Sequence, residues 1–467
     1  MAESEHETVS DALHLAVIGG GVAGCAAASW AASHGARVTL FNAGLPLGGS
    51  CIHVETFPAR LLMSAATDHH RALHPRFDGL RTESKPPDWK QLHQTRRRLS
   101  EELRAHYHRF FNEHPGVELV NGRATLTDSD TIYADQRSFQ PDQILLTPGS
   151  HSTWPPIAGL DEVNPLSFDT LLELPELPES IVFWESNDVA IAYAQLLARL
   201  GAEVTILSKK PRLLQEEHGQ TIETAMTDIL RSDGVQIAVD VSLTEVKPQG
   251  DGVRLVGTQA GRRERWDAAT FVIVNHRQPR IEELGLDKAG VELTDEGYVI
   301  IDETLQTTNP HIFAAGDAIG RDEHAYAAAY DAILAARNAV LPSRTAGHNT
   351  AIPFTIYSDP QFAGVGWNEV MAKQSGFDAD SSTYALTDLP AAHAIGCTSG
   401  FVQLIRDQRS DHLVGARILA PNASELIMEL ALAVRNGLTI SELSTLIHPP
   451  ISLGEAIARA ARAFGDY

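Results

Sequence analysis

Cys51 is the residue best equipped for chemistry in this chain, because a thiolate can attack a substrate or exchange with a disulfide. Thr56 follows it five positions later, and a threonine hydroxyl cannot form a disulfide. The other cysteines, Cys25 and Cys397, are scattered along the chain, so no disulfide framework is predicted. Cys51 is therefore either a single reactive thiol or a packed, unreactive residue, and both interpretations stay open.

A glycine-rich turn precedes this cysteine and lies between predicted elements. These are a buried strand at residues 15–18, a helix at 25–33 and a second strand at 37–41. Gly19 allows the tight turn, Gly21 lets the backbone approach a pyrophosphate, and Gly24 lets the helix pack closely on the strand. The open N–H groups at the helix N-terminus would bind the phosphates. The pattern predicts a βαβ unit that binds a dinucleotide.

The same spacing recurs further along the chain, which indicates a second unit of the same design. Its predicted elements are a strand at 180–184, a helix at 189–200 and a strand at 202–207. The turn at residues 185–190 has no glycine, and Glu185 and Asp188 would repel a pyrophosphate. Lys209 and Lys210, after the second strand, would suit a 2′-phosphate. NAD(P)H binding stays open, with the missing glycines weighing against it.

The remaining pattern divides the chain into parts. Residues 61–114 are a helical excursion, strands are predicted at 143–146 and 271–274, and a helix begins at Ala325. Prolines near residue 155 mark a boundary. We predict an α/β protein with two Rossmann-like dinucleotide-binding domains and a C-terminal α+β domain. The predicted boundaries are 1–150 and 271–345 for the first domain, 151–270 for the second, and 346–467 for the third.

Composition restricts the class of partner. The 467 residues include 37 Lys and Arg against 60 Asp and Glu, a net charge of −23, which argues against nucleic acid or an anionic membrane as partner. The first ten residues are polar and no apolar run reaches the ~18 residues of a membrane span, so we predict a cytoplasmic protein. The histidines at 69, 70, 74, 93, 106 and 108 lack metal-ligand spacing, and no metal is predicted.

Taken together, the motifs resemble those of the FAD-dependent pyridine nucleotide–disulfide oxidoreductases, the group of dihydrolipoamide dehydrogenase, mercuric reductase and soluble pyridine nucleotide transhydrogenase. The matching segments run in family order: 19–24, 48–51, 147–150, 314–317, 357–361 and 421–427. The resemblance implies an FAD domain, an inserted NAD(P)H domain and a dimerisation domain. It also implies a homodimer in which the end of one chain completes its partner's active site.

The resemblance implies a set of FAD-binding positions. These are Gly19, Gly21, Gly24, Asn42, Gly49, Ser50, Arg60, Gly122, Ala124, Gly149, Asp317 and Ala325. Asn42 replaces the usual ribose-binding acid, and it can still hydrogen-bond a hydroxyl group. Asp317 would bind the ribitol, whereas Gly122 and Ala124 would meet the adenine. Arg60 replaces the family's lysine, and the glutamate that pairs with that lysine is Ala192 here.

The departures bear on the reaction. The family's redox dithiol is C-x4-C, and here Thr56 replaces the flavin-side cysteine, as in the transhydrogenase branch. The catalytic histidine of the family falls at Pro450, whereas the glutamate that orients it remains as Glu455; His448 could stand in for that histidine. We therefore predict an FAD-dependent oxidoreductase without an active-site disulfide, acting on an unidentified small molecule or thiol. The alternatives are a catalytically reduced flavin-binding scaffold and a single-thiol enzyme that uses Cys51.

Overall fold

The computed structural model describes residues 13–214, 219–274, 277–321, 324–347 and 351–465. Its first domain is built on a five-stranded parallel sheet. In spatial order the strands are Ile312–Ala314, Gln143–Leu146, His14–Ile18, Arg37–Asn42 and Val117–Asn121. The helices Val22–Ser33 and Ala325–Val340 pack against one another beside this sheet. The central strand is wholly buried because each of its faces is covered, as a parallel sheet requires.

Further elements of this domain follow the chain between its strands. The helical excursion consists of Gly49–His53, Thr56–Leu73 and Trp89–Glu113, and a small antiparallel sheet holds Thr125–Leu126, Ile132–Ala134 and Arg137–Phe139. A short 3-10 helix, Gly316–Ile319, follows the last strand. The excursion was predicted. The strand Val117–Asn121 was not, because its alternating exposure leaves no apolar run in the sequence.

The second domain is a four-stranded parallel sheet with an antiparallel sheet beside it. The parallel strands are, in order, Gln236–Ala238, Glu203–Leu207, Ser180–Trp184 and Thr270–Ile273, and the antiparallel ones are Val241–Gln249, Gly252–Gln259 and Arg262–Ala268. The helices are Phe168–Leu171, Asp188–Arg199 and Gln220–Ser232, with a 3-10 turn at Leu160–Glu162. The strands Ser150–Ser152 and Arg277–Pro279 pair with each other where the chain enters and leaves this domain.

One predicted assignment was wrong. The strand near residue 271 was placed in the first domain, but Thr270–Ile273 pairs in parallel with Ser180–Trp184 and so belongs to the second sheet. Its apolar residues fit either sheet, and the pairing is decided by partners about ninety residues away. The chain rejoins the first sheet only with Ile312–Ala314, which pairs with Gln143–Leu146.

The third domain is a five-stranded antiparallel sheet with helices packed on it. The strands are Phe354–Ile356, Gln361–Gly366, Leu413–Ala420, Phe401–Asp407 and Ala379–Ala385 in spatial order. The helices are Glu369–Gln374, Pro390–Ala394, Ala423–Asn436, Ile440–Ser444 and Glu455–Arg462, with a 3-10 turn at Leu386–Asp388. This α+β arrangement agrees with the predicted fold class.

The three domains meet around the helices Thr56–Leu73 and Asp188–Arg199, which pack on each other. Arg199, on the second of these, donates to Asp233 at 3.1 Å and to Asp359 of the third domain at 2.9 Å. Because the Arg199 side chain is only 5% exposed, these ion pairs are little screened by water. Among the described residues, no helix is both long and apolar enough to cross a membrane.

Candidate functional site

The first glycine turn leaves space where a ligand would approach. Gly19 has φ of +115°, and a Cβ there would lie 2.0 Å from the carbonyl oxygen of Thr147. A Cβ on Gly24 would lie 1.8 Å from the carbonyl oxygen of Gly19, so only glycine permits this close packing of helix on strand. A Cβ on Gly21 would meet no described atom within 4 Å. The turn is thus tightly packed against the protein at Gly19 and Gly24, and it has free space at Gly21.

The segment that carries Cys51 lies directly against this turn. Gly48 donates its N–H to the carbonyl of Gly20 at 2.9 Å, and a Cβ on Gly49 would come within 2.9 Å of Gly21. Gly48 and Gly49 both have positive φ, which directs the chain into the short helix Gly49–His53. The fold therefore brings the glycine turn and Cys51 to one edge of the sheet.

A cavity of about 500 Å³ opens beside this edge, between the three domains. The predicted site residues that line it are Ser50, Cys51, Thr56, Arg60, Asp317 and Ala325. Its other walls are mostly apolar, from the helix Asp188–Arg199 and the strands Thr270–Ile273 and Phe354–Ile356. A largely apolar cleft at a domain junction with a few polar groups is the usual form of a small-molecule site.

Cys51 is partly buried at the cavity wall and is a free thiol, as are Cys25 and Cys397. Burial raises the pKa of the Cys51 thiol, the negative charge of Glu55 raises it further, and a hydrogen bond with the Thr56 side chain lowers it. The net direction is upward, so Cys51 is mainly a neutral thiol at pH 7. Cys25 is 4% exposed and lies in the core of the first domain.

Asp317 was predicted at this site, but the charged residues connected to it were not. Arg277 donates to Glu55 at 2.6 Å and to the hydroxyl of Ser150 at 2.9 Å, and Ser150 in turn donates to Asp317. Asp169 lies 3.7 Å from the same guanidinium. The one sequence signal was Glu55 itself, an acid placed between Cys51 and Thr56. Its partners are far away in sequence, so no local pattern could have identified them.

Two cavity residues differ from the paired charges that the resemblance implies. Arg60 stacks on the ring of Tyr357, with its guanidinium carbon 4.9 Å from the ring centroid, and Ala192 offers it no carboxylate. Next to Ala192, Tyr193 is 1% exposed and packs on Phe168. The Tyr193 hydroxyl has no hydrogen-bond partner among the described residues.

The second βαβ turn is filled by its own side chains. Glu185 forms an ion pair with Lys209 at 2.9 Å, and Lys209 also lies over the Trp184 ring. Asn187 accepts from the N–H of Ala190 at 2.8 Å and so caps the helix Asp188–Arg199. Glu185 was predicted to repel a pyrophosphate at this turn; in the structure its carboxylate is paired with Lys209, the residue that was predicted to suit a 2′-phosphate. The Ala190 N–H and the Lys209 ammonium are therefore already paired within the turn, and neither is available to bind a phosphate.

Comparison with known proteins identifies the family of the chain. The profile of the pyridine nucleotide-disulphide oxidoreductases matches residues 13–332, and that of their dimerisation domain matches residues 352–461. The chain belongs to this family. It is 32% identical to the mercuric reductase of Shigella flexneri over 465 residues, 97% of this chain and 81% of that protein. It is 31% identical to the mercuric reductase of Streptomyces lividans over 456 residues, 96% of each chain.

Solved structures show the same fold. The flavoprotein disulfide reductase RclA from Escherichia coli superposes with a TM-score of 0.86 at 22% identity, covering 96% of this chain and 99% of that one. LpdA from Mycobacterium tuberculosis gives 0.87 at 24% identity, covering 97% and 100%. The protein is thus an FAD-dependent oxidoreductase of the pyridine nucleotide-disulphide oxidoreductase family, with two Rossmann-like domains and a dimerisation domain.

Other positions implied by the family lie away from the cavity. Asn42 donates to the carbonyl of Leu45 at 3.1 Å, beside the glycine turn. Gly122 follows the strand Val117–Asn121, and Ala124 is buried in the first domain's core. Gly149 has φ of +70° and no described atom near its Cβ position. Their contact with an adenosine or flavin stays a prediction.

The C-terminal residues His448 and Glu455 bond to groups of their own chain. His448 bonds to Glu429 at 3.2 Å, and Glu455 accepts the N–H of Ile451 at 2.6 Å. That hydrogen bond lowers the pKa of Glu455. Glu455 therefore holds the start of its own helix. Neither residue lines the cavity of its own chain, and the role that the resemblance implies for them in the partner's active site stays a prediction. Among the described residues, no group of three or more His, Cys, Asp or Glu side chains is placed to hold a metal ion.

Proposed function

We propose that this protein transfers hydride or electrons through its flavin directly, without an active-site disulfide. The observation that carries the proposal is the pair of Cys51 and Thr56 on the cavity wall, where a threonine stands at the position of the second thiol of the family's dithiol. The chain's other cysteines, Cys25 and Cys397, are buried elsewhere. A disulfide therefore has no second sulfur at this position.

The residues present fit FAD. The space at Gly21 and the free N–H groups of the helix Val22–Ser33 suit a pyrophosphate, since no side chain caps that helix. Gly49, Ser50 and Asp317 lie further along the same edge, towards the cavity, where the flavin ring would bind. When bound, FAD supplies two-electron chemistry. Asn42, Gly122, Ala124 and Gly149 would hold its adenosine and pyrophosphate end.

The second turn does not fit NAD(P)H in the usual way. The Glu185–Lys209 pair and the Asn187 cap occupy the groups that a pyrophosphate would need. A reduced nucleotide would have to bind otherwise, so the electron donor is left unassigned. The paired thiols on which mercuric reductase and dihydrolipoamide dehydrogenase chemistry depend are also missing, and we assign neither activity to this chain.

The proposal includes a homodimer formed through the third domain. Apolar side chains on the helix Ala423–Asn436 and the segment after Ile440–Ser444 are exposed in the single chain. They are Met428, Leu432, Leu446, Ile447 and Ile451, and Ile447 is 97% exposed. A cluster of this kind on the domain matched by the dimerisation profile is typical of a subunit interface.

The experiment is the absorption spectrum of the purified protein, followed by anaerobic stopped-flow reduction with NADH, NADPH and dithionite. We expect an FAD spectrum, two-electron reduction by dithionite, and no long-wavelength thiolate–flavin band in any state. The matched variant is Thr56→Cys, which restores C-x4-C and should show that band after reduction. A charge-transfer band in the native protein, or no bound flavin, would contradict the proposal.

A single-thiol enzyme is the alternative that Cys51 itself suggests, and the upward shift of its thiol pKa weighs against it. Cys51→Ser should leave turnover within about twofold if the flavin acts alone. A loss of turnover with retained flavin would establish the thiol instead. A protein that binds FAD but turns over with no donor and acceptor would support the scaffold interpretation.

A further inference from the structure

The cavity holds more acid than base. The carboxyl groups of Glu55, Asp169 and Asp317 surround the guanidinium of Arg277, by direct pairing or through Ser150. Glu55 and Asp169 approach the same Nη1 atom of Arg277, at 2.6 and 3.7 Å, so the two carboxyl groups are neighbours. Two neighbouring carboxylates in a partly buried site cannot both ionise easily, so such a pair retains a proton.

The positions of these groups assign the proton to Glu55. Its side chain is 24% exposed and lies on the cavity wall next to Thr56. Although Glu55 precedes the helix Thr56–Leu73, its side chain accepts no capping hydrogen bond from that helix. Burial raises the pKa of Glu55, the Arg277 charge lowers it, and Asp169 and Asp317 raise it again. The net direction is upward, so the carboxyl holds its proton at a pH where an ordinary glutamate, with a pKa of about 4.3, has lost it.

A second, independent observation at the same cavity points to a ligand. Tyr193 is 1% exposed, lines the cavity and has a hydroxyl group with no described hydrogen-bond partner. Buried hydroxyl groups are nearly always paired, so the missing partner is explained by an oxygen or nitrogen atom of a bound molecule. Glu55 lines the same cavity as Tyr193. Glu55 and Tyr193 therefore face a common volume.

We propose that Glu55 is a catalytic acid–base residue that exchanges a proton with the substrate, and that Tyr193 positions that substrate by a hydrogen bond. The substrate class is a small organic hydride acceptor with a hydrogen-bonding oxygen. This inference rests on the proposed function, in which the reduced flavin supplies the hydride.

The balance of the step is simple. The acceptor gains a hydride, and an O–H bond forms on its oxygen as the O–H bond of Glu55 breaks. The substrate is thereby reduced by two electrons and gains two hydrogens, and the Glu55 carboxylate is left against Arg277. Solvent water returns the proton to Glu55. In this chain, which lacks the paired thiols and keeps His448 bonded to Glu429, Glu55 is the described cavity residue placed for this task.

The test compares two artificial acceptors with the dithionite-reduced holoprotein in anaerobic stopped flow. Menadione needs protons to accept two electrons, whereas ferricyanide takes single electrons and needs none. For Glu55→Gln we expect about a 100-fold slower reaction with menadione and less than a twofold change with ferricyanide. The matched control is Glu118→Gln, which removes another arginine-paired carboxylate, 49% exposed, and should change neither rate.

The pH dependence gives a further readout. Glu55 can donate a proton only while its carboxyl group is protonated. The rate of menadione reduction should therefore fall as the pH rises through the raised pKa of Glu55. Glu55→Gln should not show this fall. Glu55→Asp should keep it. Infrared titration of protein labelled with ¹³C-glutamate should show a protonated carboxyl above the usual glutamate range that Glu55→Gln removes. The charged groups that set this pKa are Arg277, Asp169 and Asp317, and the titratable side chains of Cys51 and Tyr193 line the same cavity.

Tyr193→Phe removes only an unpartnered hydroxyl, so the Tm should not fall. We expect its KM for menadione to rise about tenfold with little change in the ferricyanide rate.

Three outcomes would overturn the inference. Glu55→Gln could slow the reactions with menadione and ferricyanide equally, or it could keep the fall of the menadione rate with rising pH. The third outcome is a Glu55 carboxyl group that titrates in the usual glutamate range. If the native reduced protein reacts with neither acceptor, the proposed function itself fails. If it reacts with both and Glu55→Gln behaves like the native protein, only this inference fails.

Discussion

The protein contains two βαβ turns of the same design that differ in what occupies them. At residues 19–24 four glycines keep side chains away, and Gly21 faces open space. At residues 185–190 Glu185, Asn187 and Lys209 fill the equivalent position with an ion pair and a helix cap. The strands and helices around both turns are nevertheless alike, as parallel pairing in each sheet shows.

The difference separates what the fold needs from what the ligand needs. Glu185 has φ of +71°, so the second turn keeps the left-handed conformation that glycine normally provides, although its residue disfavours it. The ion pair to Lys209 and the buried contact between Ser186 and Ser208 hold this conformation. A βαβ unit can therefore keep its backbone after losing the space for a pyrophosphate.

The largest effect is expected from making the first turn resemble the second. Gly21 has φ of −71°, which any residue adopts, so Gly21→Glu should fold, but its carboxylate would occupy the open space and repel the FAD pyrophosphate. We expect at least a ~100-fold loss of FAD affinity, about 2.7 kcal/mol. Flavin content after purification and the Tm of the apoprotein measure the two effects separately.

The control for that change is Gly21→Ala, whose Cβ meets no described atom within 4 Å and adds no charge. It should keep most of its flavin. If Gly21→Glu also purified with full FAD occupancy, the open turn would not be the pyrophosphate site, and the contrast between the two turns would lose its meaning.

The sequence predicted the elements of this contrast because both units depend on local patterns. Apolar runs of four or five residues and the glycine spacing indicate strand, turn and helix without reference to distant residues. The strand Thr270–Ile273 was misplaced because its partner, Ser180–Trp184, is remote in sequence. The antiparallel sheet of Val241–Gln249, Gly252–Gln259 and Arg262–Ala268 was missed because its strands are largely polar.

The site was predicted less completely than the fold. Cys51, Thr56 and Asp317 were identified by family position, and they meet at the cavity. The ion pair of Glu55 with Arg277 joins residues 222 positions apart, and only the folded chain brings them together. The charge of Glu185 was recognised in the sequence, but its partner Lys209 was interpreted as a phosphate ligand. The folded geometry decides which charged residues pair, and this geometry cannot be inferred from the composition of the chain.

A smaller effect is expected from reopening the second turn. The triple variant Glu185→Gly, Asn187→Gly, Ala190→Gly removes the carboxylate and the cap and suits the positive φ at position 185. We expect the native protein to show no binding of NADPH by calorimetry up to ~1 mM, and the variant to bind with a Kd at least about tenfold below that.

The control for the triple variant is Asn368→Gly, which removes an equivalent cap, accepting from Met371 at 2.8 Å, on the helix Glu369–Gln374. It should lower the free energy of unfolding by only about 0.3 kcal/mol, because glycine is itself tolerated at this position, and create no NADPH binding. Tight NADPH binding by the native protein would show that a nucleotide reaches this domain despite the filled turn.

The smallest effect concerns how the filled turn is held. Lys209→Ala leaves the Glu185 carboxylate, 12% exposed, without its cation in a left-handed conformation. Because Lys209 itself is 56% exposed, water screens the pair, and we expect a loss of only about 1 kcal/mol in the free energy of unfolding, measured by urea denaturation. Lys247→Ala breaks an exposed pair with Glu245 and should cost less than half of that. If the two variants were equally stable, the pairing of Glu185 would be incidental, and the second turn would keep its shape through its backbone and the Ser186–Ser208 contact instead.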